Sequence, residues 1–456
     1  MFKRKSLLGA SLAALALGLT LTVAPIFAQD AATPAPLPTP TEVPAIDFGT
    51  GGTHISFWNG LTGSDGSTFN DMLSEFSKAH PEISVTVEEI PWDTLYPKLQ
   101  TAFVAGTPPD LILLHSAQIP QFASYGVLMD LTDWYSDKGG FFPVDDISPI
   151  TRDGMDYQGK AYGIPLDNHG RGLWVSKNAF QKAGLDPNMA EPTNYEDWVA
   201  LFQKLTLDKN GKNAADPDFD VNNVVQWGFT VSEWPRVNFM AALVQNGGNW
   251  ISDDGKTITI NSDAGVAALQ QWVDLVYKYH VSPPEAGFDS WGAYAAGALA
   301  ILPTGTWFHN QANLDTDIDS EVWPTVQFGD TQATYMGIHT FMVPATATGD
   351  QLAADKTLIQ WFSENQKGWA ASGQVPARLS VQADLDPATY SSNIIIGKTM
   401  AEYGTLDWSS PVLLDFFTSI DPELSAALNN QKTAKQALDD AASRMQEALD
   451  RAASGG

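Results

Sequence analysis

Short apolar segments alternate with longer amphipathic segments in the first part of this chain, and that alternation most constrains how it can fold. Residues 54–58 and 83–87 are predicted to be strands, and apolar residues at helical spacing predict a helix over residues 67–79 between them. Asp93 can cap a second helix, and residues 111–114 are a short, fully apolar strand. A β-α-β-α-β order with such strands predicts a parallel sheet covered by helices on both faces.

The same alternation resumes further along the chain. A strand is predicted at residues 172–175 and helices at 195–205, 266–276, 353–362 and 433–452. A chain of 456 residues is long enough for two or three domains. We therefore predict an α/β protein with more than one domain.

The N-terminal residues are typical of an export signal. Lys3, Arg4 and Lys5 precede an apolar run over residues 7–23, and Ala28 is a small residue suited to a cleavage site. We expect a signal peptide at residues 1–28 and a periplasmic or extracellular protein, with an uncleaved membrane anchor as the alternative. No later apolar run is long enough to span a bilayer, which needs about 18 residues or more.

A proline-rich segment over residues 29–52 follows this signal. Five of its prolines alternate with Ala and Thr, a composition that favours extended polyproline geometry and buries little surface: Pro34, Pro36, Pro38, Pro40 and Pro44. We interpret residues 29–52 as a linker to the folded body, with a disordered N-terminus of no function as the alternative.

The composition excludes several functional classes. The 53 acidic and 25 basic residues give a net charge of −28, which argues against nucleic acid as a partner. The absence of cysteine excludes disulfides, thiolate metal sites, a cysteine nucleophile and a lipid-modified cysteine. The chain contains no P-loop, no Gly-x-Ser-x-Gly elbow and no His-Glu-x-x-His zinc helix. We expect no cofactor and assign no metal ligands, and a glycosidase pair of carboxylates stays open.

Ten short segments, in order, resemble one known family. They are Ile-Ser-Phe-Trp-Asn-Gly at 55–60, His-Pro-Glu-Ile at 80–83, Lys-Leu-Gln-Thr-Ala at 98–102, Gly-Thr-Pro-Pro-Asp at 106–110, Gly-Val-Leu-Met-Asp-Leu at 126–131, Gly-Lys-Ala-Tyr-Gly-Ile-Pro at 159–165, Trp-Val-Ser-Lys-Asn at 174–178, Gly-Ala-Leu-Ala at 297–300, Gly-Thr-Trp at 305–307 and Val-Pro-Ala-Arg at 375–378. Their order and spacing resemble family 1 of the extracellular solute-binding proteins, the sugar receptors of ATP-binding-cassette (ABC) importers related to maltose-binding protein. Many bacterial relatives carry a lipidated cysteine after the signal, which this chain lacks.

The resemblance implies a periplasmic-binding-protein fold, with two α/β lobes joined by hinge strands and a ligand held in the cleft between them. We expect lobe 1 at residues 53–166 and about 338–375, and lobe 2 at about 167–337 and 376–456. The crossings are then expected near residues 164–169, 335–340 and 373–378.

The resemblance also implies a monomeric, non-enzymatic receptor. It would close on a neutral sugar, with a di- or oligosaccharide favoured, and deliver it to the membrane permease subunits of an ABC importer. Two alternatives stay open. The same fold could bind glycerol-3-phosphate or a polyamine, or the chain could be a secreted glycosidase.

Loops that follow predicted strands supply the first candidate ligand contacts. Ligands of open parallel sheets bind beyond the carboxyl ends of strands, where glycines admit a ligand and helix N-termini offer free N–H groups. The candidates there are Asn59, Gly60, Thr62, Gly63 and Asp65 after the first strand, and His115, Ser116 and Gln118 after the strand that ends at Leu114. Ordinary surface turns are the alternative for both loops.

The expected crossings and three tryptophans supply the remaining candidates. Polar side chains at the crossings can pair with hydroxyls, and an aromatic plane can cover the apolar face of a sugar. These candidates are Asp167, His169, Gly337, His339 and Arg378 at the crossings, and Trp234, Trp307 and Trp408 as platforms. Trp307 is preferred by resemblance, because the family uses that position. A hinge ion pair is the alternative for Arg378, and burial in the core is the alternative for the tryptophans.

Overall fold

The computed structural model of the protein describes residues 44–310 and 319–454. Its strands are β1 Ile46–Phe48, β2 Thr53–Asn59, β3 Ile83–Glu89, β4 Leu111–His115, β5 Asp156–Tyr157, β6 Lys160–Ala161, β7 Ile164–Pro165, β8 Asp167–Ser176, β9 Leu207–Asp208, β10 Val224–Gln226, β11 Ile301–Gly305, β12 Ser320–Trp323, β13 Thr334–Gly337, β14 His339–Met342, β15 Val375–Pro376 and β16 Gly404–Leu406. The predicted signal peptide at residues 1–28 lies outside the described residues.

Helices surround these strands. They are α1 Ser64–Ala79, α2 Trp92–Ala105, α3 Ile119–Ser124, α4 Pro149–Asp153, α5 Lys177–Lys182, α6 Tyr195–Leu205, α7 Pro235–Gln245, α8 Asp263–Tyr277, α9 Ser290–Ala295, α10 Gly349–Glu364, α11 Gln366–Trp369, α12 Leu379–Ala383, α13 Ser391–Tyr403, α14 Leu413–Leu428 and α15 Ala434–Ala453. Within the described part of the chain, no helix is both long enough and apolar enough to cross a membrane.

The predicted β-α-β-α-β segment forms the centre of the first sheet. Among the described residues, six strands pair in the order β1-β3-β2-β4-β14-β7, and β2 is parallel to both β3 and β4. The sheet buries Phe57 against Phe69 of α1 and Phe341 of β14, with ring centroids 5.6 and 6.1 Å apart. The parallel core sheet predicted from the sequence is therefore present, and helix α1 begins three residues earlier than predicted.

Two details of this sheet correct the sequence analysis. The linker was predicted to run to Gly52, but β1 pairs antiparallel with β3, since Ile46 and Phe48 alternate with Asp47 and the Phe48 side chain is buried. Asp93 was predicted to cap the second helix. Helix α2 instead begins at Trp92 after Pro91, so Asp93 lies in its first turn, where its charge still favours the helix dipole.

The second sheet is built around one long strand. All ten residues of β8 are buried, and β8 pairs in succession with β15, β13, β11 and β12. The sequence predicted only residues 172–175 as strand, because Asp167, His169 and Arg171 make the first half polar. Those polar groups are buried with hydrogen-bond partners, which removes the usual objection to polar residues inside a strand.

The chain passes twice from one sheet directly into the other. β7 belongs to the first sheet and β8 to the second, with only Leu166 between them; β13 and β14 are separated in the same way by Ile338. The backbone N–H of Leu166 donates to the carbonyl of His339 at 2.8 Å, which ties the two passages together. This junction brings residues distant in sequence to one edge of both sheets.

Candidate functional site

A cavity of about 430 Å³ lies at this junction, a size in the range of small-molecule sites. The structure brings most of the predicted candidates to its lining: Gly60, Thr62, Gly63, Asp65, His115, Gln118, His169, Trp234, Trp307 and His339. They come from loops and strands of both sheets. Whether they contact a ligand stays a prediction. The strand-end argument accounts for those after β2 and β4, whereas the others were predicted from the expected crossings and as aromatic platforms.

The loop after β2 approaches the cavity through a close backbone contact. Asn59 Oδ1 accepts a hydrogen bond from the Leu61 N–H at 2.9 Å, which fixes the turn. A Cβ atom at Gly60 would lie 2.1 Å from the ring of Trp92. The Trp92 ring in turn stacks on His339 and lies tilted against His115, with centroids 5.5 and 4.2 Å away. Glycine at position 60 therefore lets an indole ring lie against the loop and line the cavity.

Asp65 connects this loop to the second sheet through a relay of side chains. Gln374 Nε2 donates to Asp65 Oδ2 at 3.0 Å, and Thr306 Oγ1 donates to Gln374 Oε1. Burial raises the pKa of Asp65 above its ordinary value, with the charge of His339 opposing the shift. Ser64 Oγ also donates to the carbonyl of Trp307 at 2.9 Å, so the two sides of the cavity are linked at α1.

Three histidines, which we name the histidine cluster, meet beside the cavity: His115, His169 and His339. Their ring centroids lie 4.1 to 5.1 Å apart. Asp167 lies behind them, fully buried, and accepts from His339 Nδ1 at 2.9 Å and from His169 Nδ1 at 3.3 Å. Trp369 Nε1 donates to the same carboxylate at 2.6 Å. His115 Nδ1 is hydrogen-bonded to the hydroxyl of Tyr96.

The protonation of this cluster follows from its burial. Burial, together with the neighbouring His339, lowers the pKa of His169 to about 4, although Asp167 opposes the shift. Burial and the other two rings lower the pKa of His115 well below its ordinary value. Burial alone would raise the pKa of Asp167, but His339 and the hydrogen bonds from both histidines lower it. At neutral pH, His115 and His169 are neutral rings that can each donate or accept one hydrogen bond.

The second sheet contributes an aromatic side to the cavity. Trp307 follows β11, and its ring meets that of Trp234 edge to face at 6.2 Å. Trp234 has a left-handed backbone with φ of 51° and is 46% exposed. Glu233 fixes this turn, since its carboxylate accepts from Trp291 Nε1 at 3.2 Å and its carbonyl accepts from Arg171 at 3.0 Å. Arg171 therefore points into the second sheet's packing rather than the cavity lining.

Arg236 and Asp407 add two further ionisable side chains to the lining. Arg236 Nε donates to Asp421 at 2.9 Å, and its guanidinium lies 3.4 Å from the centroid of the Phe417 ring. Burial raises the pKa of Asp407, whose Oδ2 accepts from the hydroxyl of Tyr335 at 3.4 Å. Among the described lining residues, Arg236 is the one with an Arg or Lys side chain, and it is already paired.

Four predicted candidates lie behind the lining rather than on it. Asn59 and Asp167 are fully buried and hold the turn and the histidines, as described above. Ser116 is buried, and its N–H donates to the Ile338 carbonyl at 2.9 Å. A Cβ at Gly337 would lie 2.0 Å from His169 Nε2, so this glycine makes room for a histidine ring. These residues support the site without lining it.

Two further candidates are placed elsewhere, and each has a physical reason. Arg378 Nε donates to Asp146 Oδ2 at 2.7 Å, so it forms the ion pair that the sequence left open as the alternative. Trp408 is 3% exposed and stacks on Trp250 at 5.6 Å in the core of the second sheet. Asp407, the residue before Trp408, lines the cavity instead, because neighbouring side chains in extended backbone point in opposite directions.

Sequence reasoning missed several lining residues, among them Trp92, Tyr96 and Gln374. A signal existed for Trp92, because Pro91 and Trp92 follow β3 as Gly60 follows β2 and His115 ends β4. All three segments mark carboxyl ends of neighbouring parallel strands. Gln374 lies within the crossing expected at residues 373–378, but the sequence did not single it out, because its partners are 309 and 68 residues away in the chain.

Comparison with known proteins places this architecture in context. The family model described as bacterial extracellular solute-binding protein matches residues 59–369. An arabinooligosaccharide-binding protein of Bacillus subtilis is 22% identical over 444 residues, covering 87% of this chain and 93% of that protein. A protein of Brucella abortus named as a binding protein is 30% identical over 141 residues, and that match spans 32% of its length.

Solved structures show the same fold. A substrate-binding protein of an ABC transporter from Listeria monocytogenes, solved in complex with cycloalternan, superimposes with a TM-score of 0.72. It is 23% identical, and the match covers 87% of this chain and 99% of that one. The predicted two-lobe α/β fold is confirmed by this likeness.

Proposed function

Because the chain belongs to the family of bacterial extracellular solute-binding proteins, we propose that it captures a neutral carbohydrate in the cavity between its two sheets. It then delivers the sugar to the permease subunits of an ABC importer. The protein acts as a receptor without catalysing a reaction, in keeping with the matched family and the named relatives, which are binding proteins. We infer export from the N-terminal sequence and from the extracellular character of the family.

The observation that carries this proposal is the pairing of indole rings with neutral hydrogen-bonding groups in one cavity. Trp307, Trp234 and Trp92 offer apolar faces, whereas His115, Gln118 and Thr62 can donate to or accept from hydroxyls. The amide N and O of Gln118 lack a hydrogen-bond partner within the described part of the chain, although the residue is 1% exposed. A sugar presents the same combination of C–H faces and hydroxyls, so it matches the cavity in both respects.

The charged side chains of the cavity disfavour the two other ligand classes, glycerol-3-phosphate and polyamines. A phosphate needs several convergent cations, but Arg236 is the single Arg or Lys among the described lining residues, and its Nε pairs with Asp421. A polyamine needs free carboxylates beside aromatic rings. Asp65 is engaged by Gln374, and burial raises the pKa of both Asp65 and Asp407, which makes them poor partners for a cation. Asp93 is then the one exposed carboxylate among the described lining residues.

Lobe closure would occur about the two passages between sheets. We propose Leu166 and Ile338 as the points at which the lobes meet, with lobe 1 at residues 53–166 and about 338–375. Residues about 167–337 and 376–456 then form lobe 2. The adjacent Asp167 and His339 are hydrogen-bonded to each other, so ligand contacts at the histidine cluster would act directly at the hinge.

Thermal unfolding with a panel of mono-, di- and oligosaccharides tests the proposal. A sugar at a hundredfold its Kd adds ~2.7 kcal/mol, which for a folded unit of this length raises the Tm by roughly 3 °C. Glycerol-3-phosphate and spermidine serve as the competing ligands. A shift with a small group of sugars alone is expected, and calorimetric titration should then give one site per chain.

A pair of tryptophan variants locates the site. Trp307→Ala should lower the affinity for the responding sugar at least ~10-fold, since it removes an aromatic platform. Trp361→Ala is the matched control, because Trp361 packs in the first sheet's core away from the cavity. A shift with spermidine or glycerol-3-phosphate alone would refute the carbohydrate proposal. Release of reducing sugar from an oligosaccharide would refute the non-enzymatic one.

A further inference from the structure

The histidine cluster is held in place by backbone pairing where the two sheets join. His115 ends β4 and His339 begins β14, and these two residues are direct partners in the strand register. His169 lies in β8 opposite Gly337 of β13. One ring nitrogen from each histidine lies within 4.8 Å of the other two. Three imidazoles on strands β4, β14 and β8 form a site whose position is set by rigid elements rather than by loops.

The hydrogen bonds of the cluster are those that metal-bound imidazoles use. Nδ1 of His339 and Nδ1 of His169 both face Asp167, and Nδ1 of His115 faces the Tyr96 hydroxyl. A carboxylate or hydroxyl partner at one nitrogen fixes the ring and raises the basicity of the other. Nε2 is then the nitrogen of each ring that can bind a metal ion, and at His169 the ion would replace the Tyr335 hydroxyl, which lies 3.5 Å from Nε2.

The donor set matches a transition metal with an open coordination position. Neutral imidazoles suit Zn²⁺, Cu²⁺ and Ni²⁺, and three protein ligands with a fourth position open is an established zinc arrangement. Two nitrogens bound to a tetrahedral zinc ion at 2.0–2.1 Å lie about 3.3 Å apart. The ring nitrogens of the cluster lie within 4.8 Å of one another, so any two of them must approach by at most about 1.5 Å to bind the ion. His115 is the partly exposed member of the cluster.

We propose that His115, His169 and His339 bind a divalent transition-metal ion, with Zn²⁺ as the ion of choice, and that Asp167 positions two of these rings. The ion would border the cavity, since all three histidines line it. This inference goes beyond carbohydrate capture, which requires no metal. The sequence analysis assigned no metal ligands, because the three histidines share no motif spacing and converge only through the fold.

Metal binding to the purified, tag-free full chain tests the proposal. The protein is stripped with EDTA, dialysed against Zn²⁺ and assayed for metal content, with calorimetric titration giving the Kd. Cobalt(II) replaces zinc in a parallel sample, and a tetrahedral nitrogen site should give visible d–d absorption. One ion per chain and a cobalt spectrum are expected.

Single substitutions locate the site. His115→Gln and His339→Gln should each weaken Zn²⁺ binding at least ~100-fold, and Asp167→Asn should weaken it ~10–100-fold while keeping a cobalt spectrum. His54→Gln is the matched control. His54 lies on β2 away from the cluster, and its exposed ring is hydrogen-bonded through Nδ1 to Ser84 Oγ. Circular dichroism and the Tm without metal confirm that each variant is folded, and His115→Gln perturbs the least buried ring.

Two outcomes overturn the inference. One is a folded wild-type chain that takes up no stoichiometric zinc, and the other is uptake that survives His115→Gln and His339→Gln unchanged. Sugar binding is measured on stripped and zinc-loaded protein in the same series. Sugar binding without zinc uptake would refute the metal site and leave the carbohydrate proposal intact. Zinc uptake without sugar binding would refute the carbohydrate proposal and leave the metal site intact.

Discussion

Replacing Gly60 by alanine should disturb the cavity through Trp92, and the structure sets the size of the effect. The new Cβ would lie 2.1 Å from the indole ring, whereas ordinary contacts begin at 3.4 Å, so the ring or the loop must move by about 1.3 Å (3.4 minus 2.1). The ring cannot turn away freely, because it packs against His115 and His339. Overpacking of this kind costs about 1–3 kcal/mol.

The consequences appear in two assays. A loss of 1–3 kcal/mol should lower the Tm of the ligand-free protein by roughly 1–4 °C for a unit of this length. The affinity for the carbohydrate should fall as well, since the displaced indole lines the cavity. Calorimetric titration with the responding sugar measures that second effect.

Gly52→Ala is the matched control for this substitution. A Cβ at Gly52 meets nothing within 4 Å, and its backbone is not left-handed, so alanine there should leave the sugar affinity unchanged. Its Tm should be equal or slightly higher, because alanine restricts the unfolded chain. The reasoning is refuted if Gly60→Ala matches Gly52→Ala in both Tm and affinity.

Three further predictions use buried polar groups. Burial raises the pKa of Asp355 to about 7, above its unfolded value near 3.9, so stability falls as the pH rises through that window. Asp355→Asn should therefore stabilise the protein at pH 8 by on the order of 2 kcal/mol, which raises the Tm, and should leave the Tm at pH 4 unchanged. An equal change in Tm at both pH values would contradict this prediction. Asp407→Asn should weaken carbohydrate binding ~10-fold or more, as measured by calorimetric titration. Trp408→Phe should lower the Tm, as measured by melting curves, and leave the carbohydrate affinity unchanged. Gln374→Leu should lower the urea midpoint by an amount equivalent to ~1–3 kcal/mol, because it leaves the buried Asp65 carboxylate without its donor. The control Gln360→Leu removes an exposed hydrogen bond and should leave the urea midpoint unchanged.

The parts of the fold that the sequence predicted are those with short-range periodicity. Helix α6 was predicted at its observed bounds, since Trp198, Phe202 and Leu205 recur at helical spacing and Asn194 caps its N-terminus. Strand β4 was predicted from its unbroken apolar run. Such patterns depend only on neighbours in the chain, so no knowledge of tertiary contacts is needed to read them.

Strands that bury polar residues were the ones predicted incompletely. β8 was read as four residues instead of ten, because Asp167, His169 and Arg171 look like loop residues when their partners are unknown. Asp167 pairs with Trp369 and His339, and Arg171 pairs with Asn238, all more than 60 residues away. His169 pairs with Asp167, whose own position depends on those distant partners. A buried polar group is acceptable only when it is paired, and pairing over such distances leaves no local trace.

The candidate site shows the same division between local and distant information. Residues at the carboxyl ends of β2 and β4 could be predicted, since parallel strands bring these ends to one edge whatever the detailed packing. The sequence could not predict which of two neighbouring side chains faces the cavity. Asp407 lines the cavity while Trp408 enters the core, and a shift of one residue would exchange them. The parallel pairing of β16 with β13 sets that choice, because Met336 pairs with Leu406 and its carbonyl accepts from the Asp407 N–H. β13, the strand that leads into the passage at Ile338, therefore also sets which of these two side chains reaches the cavity.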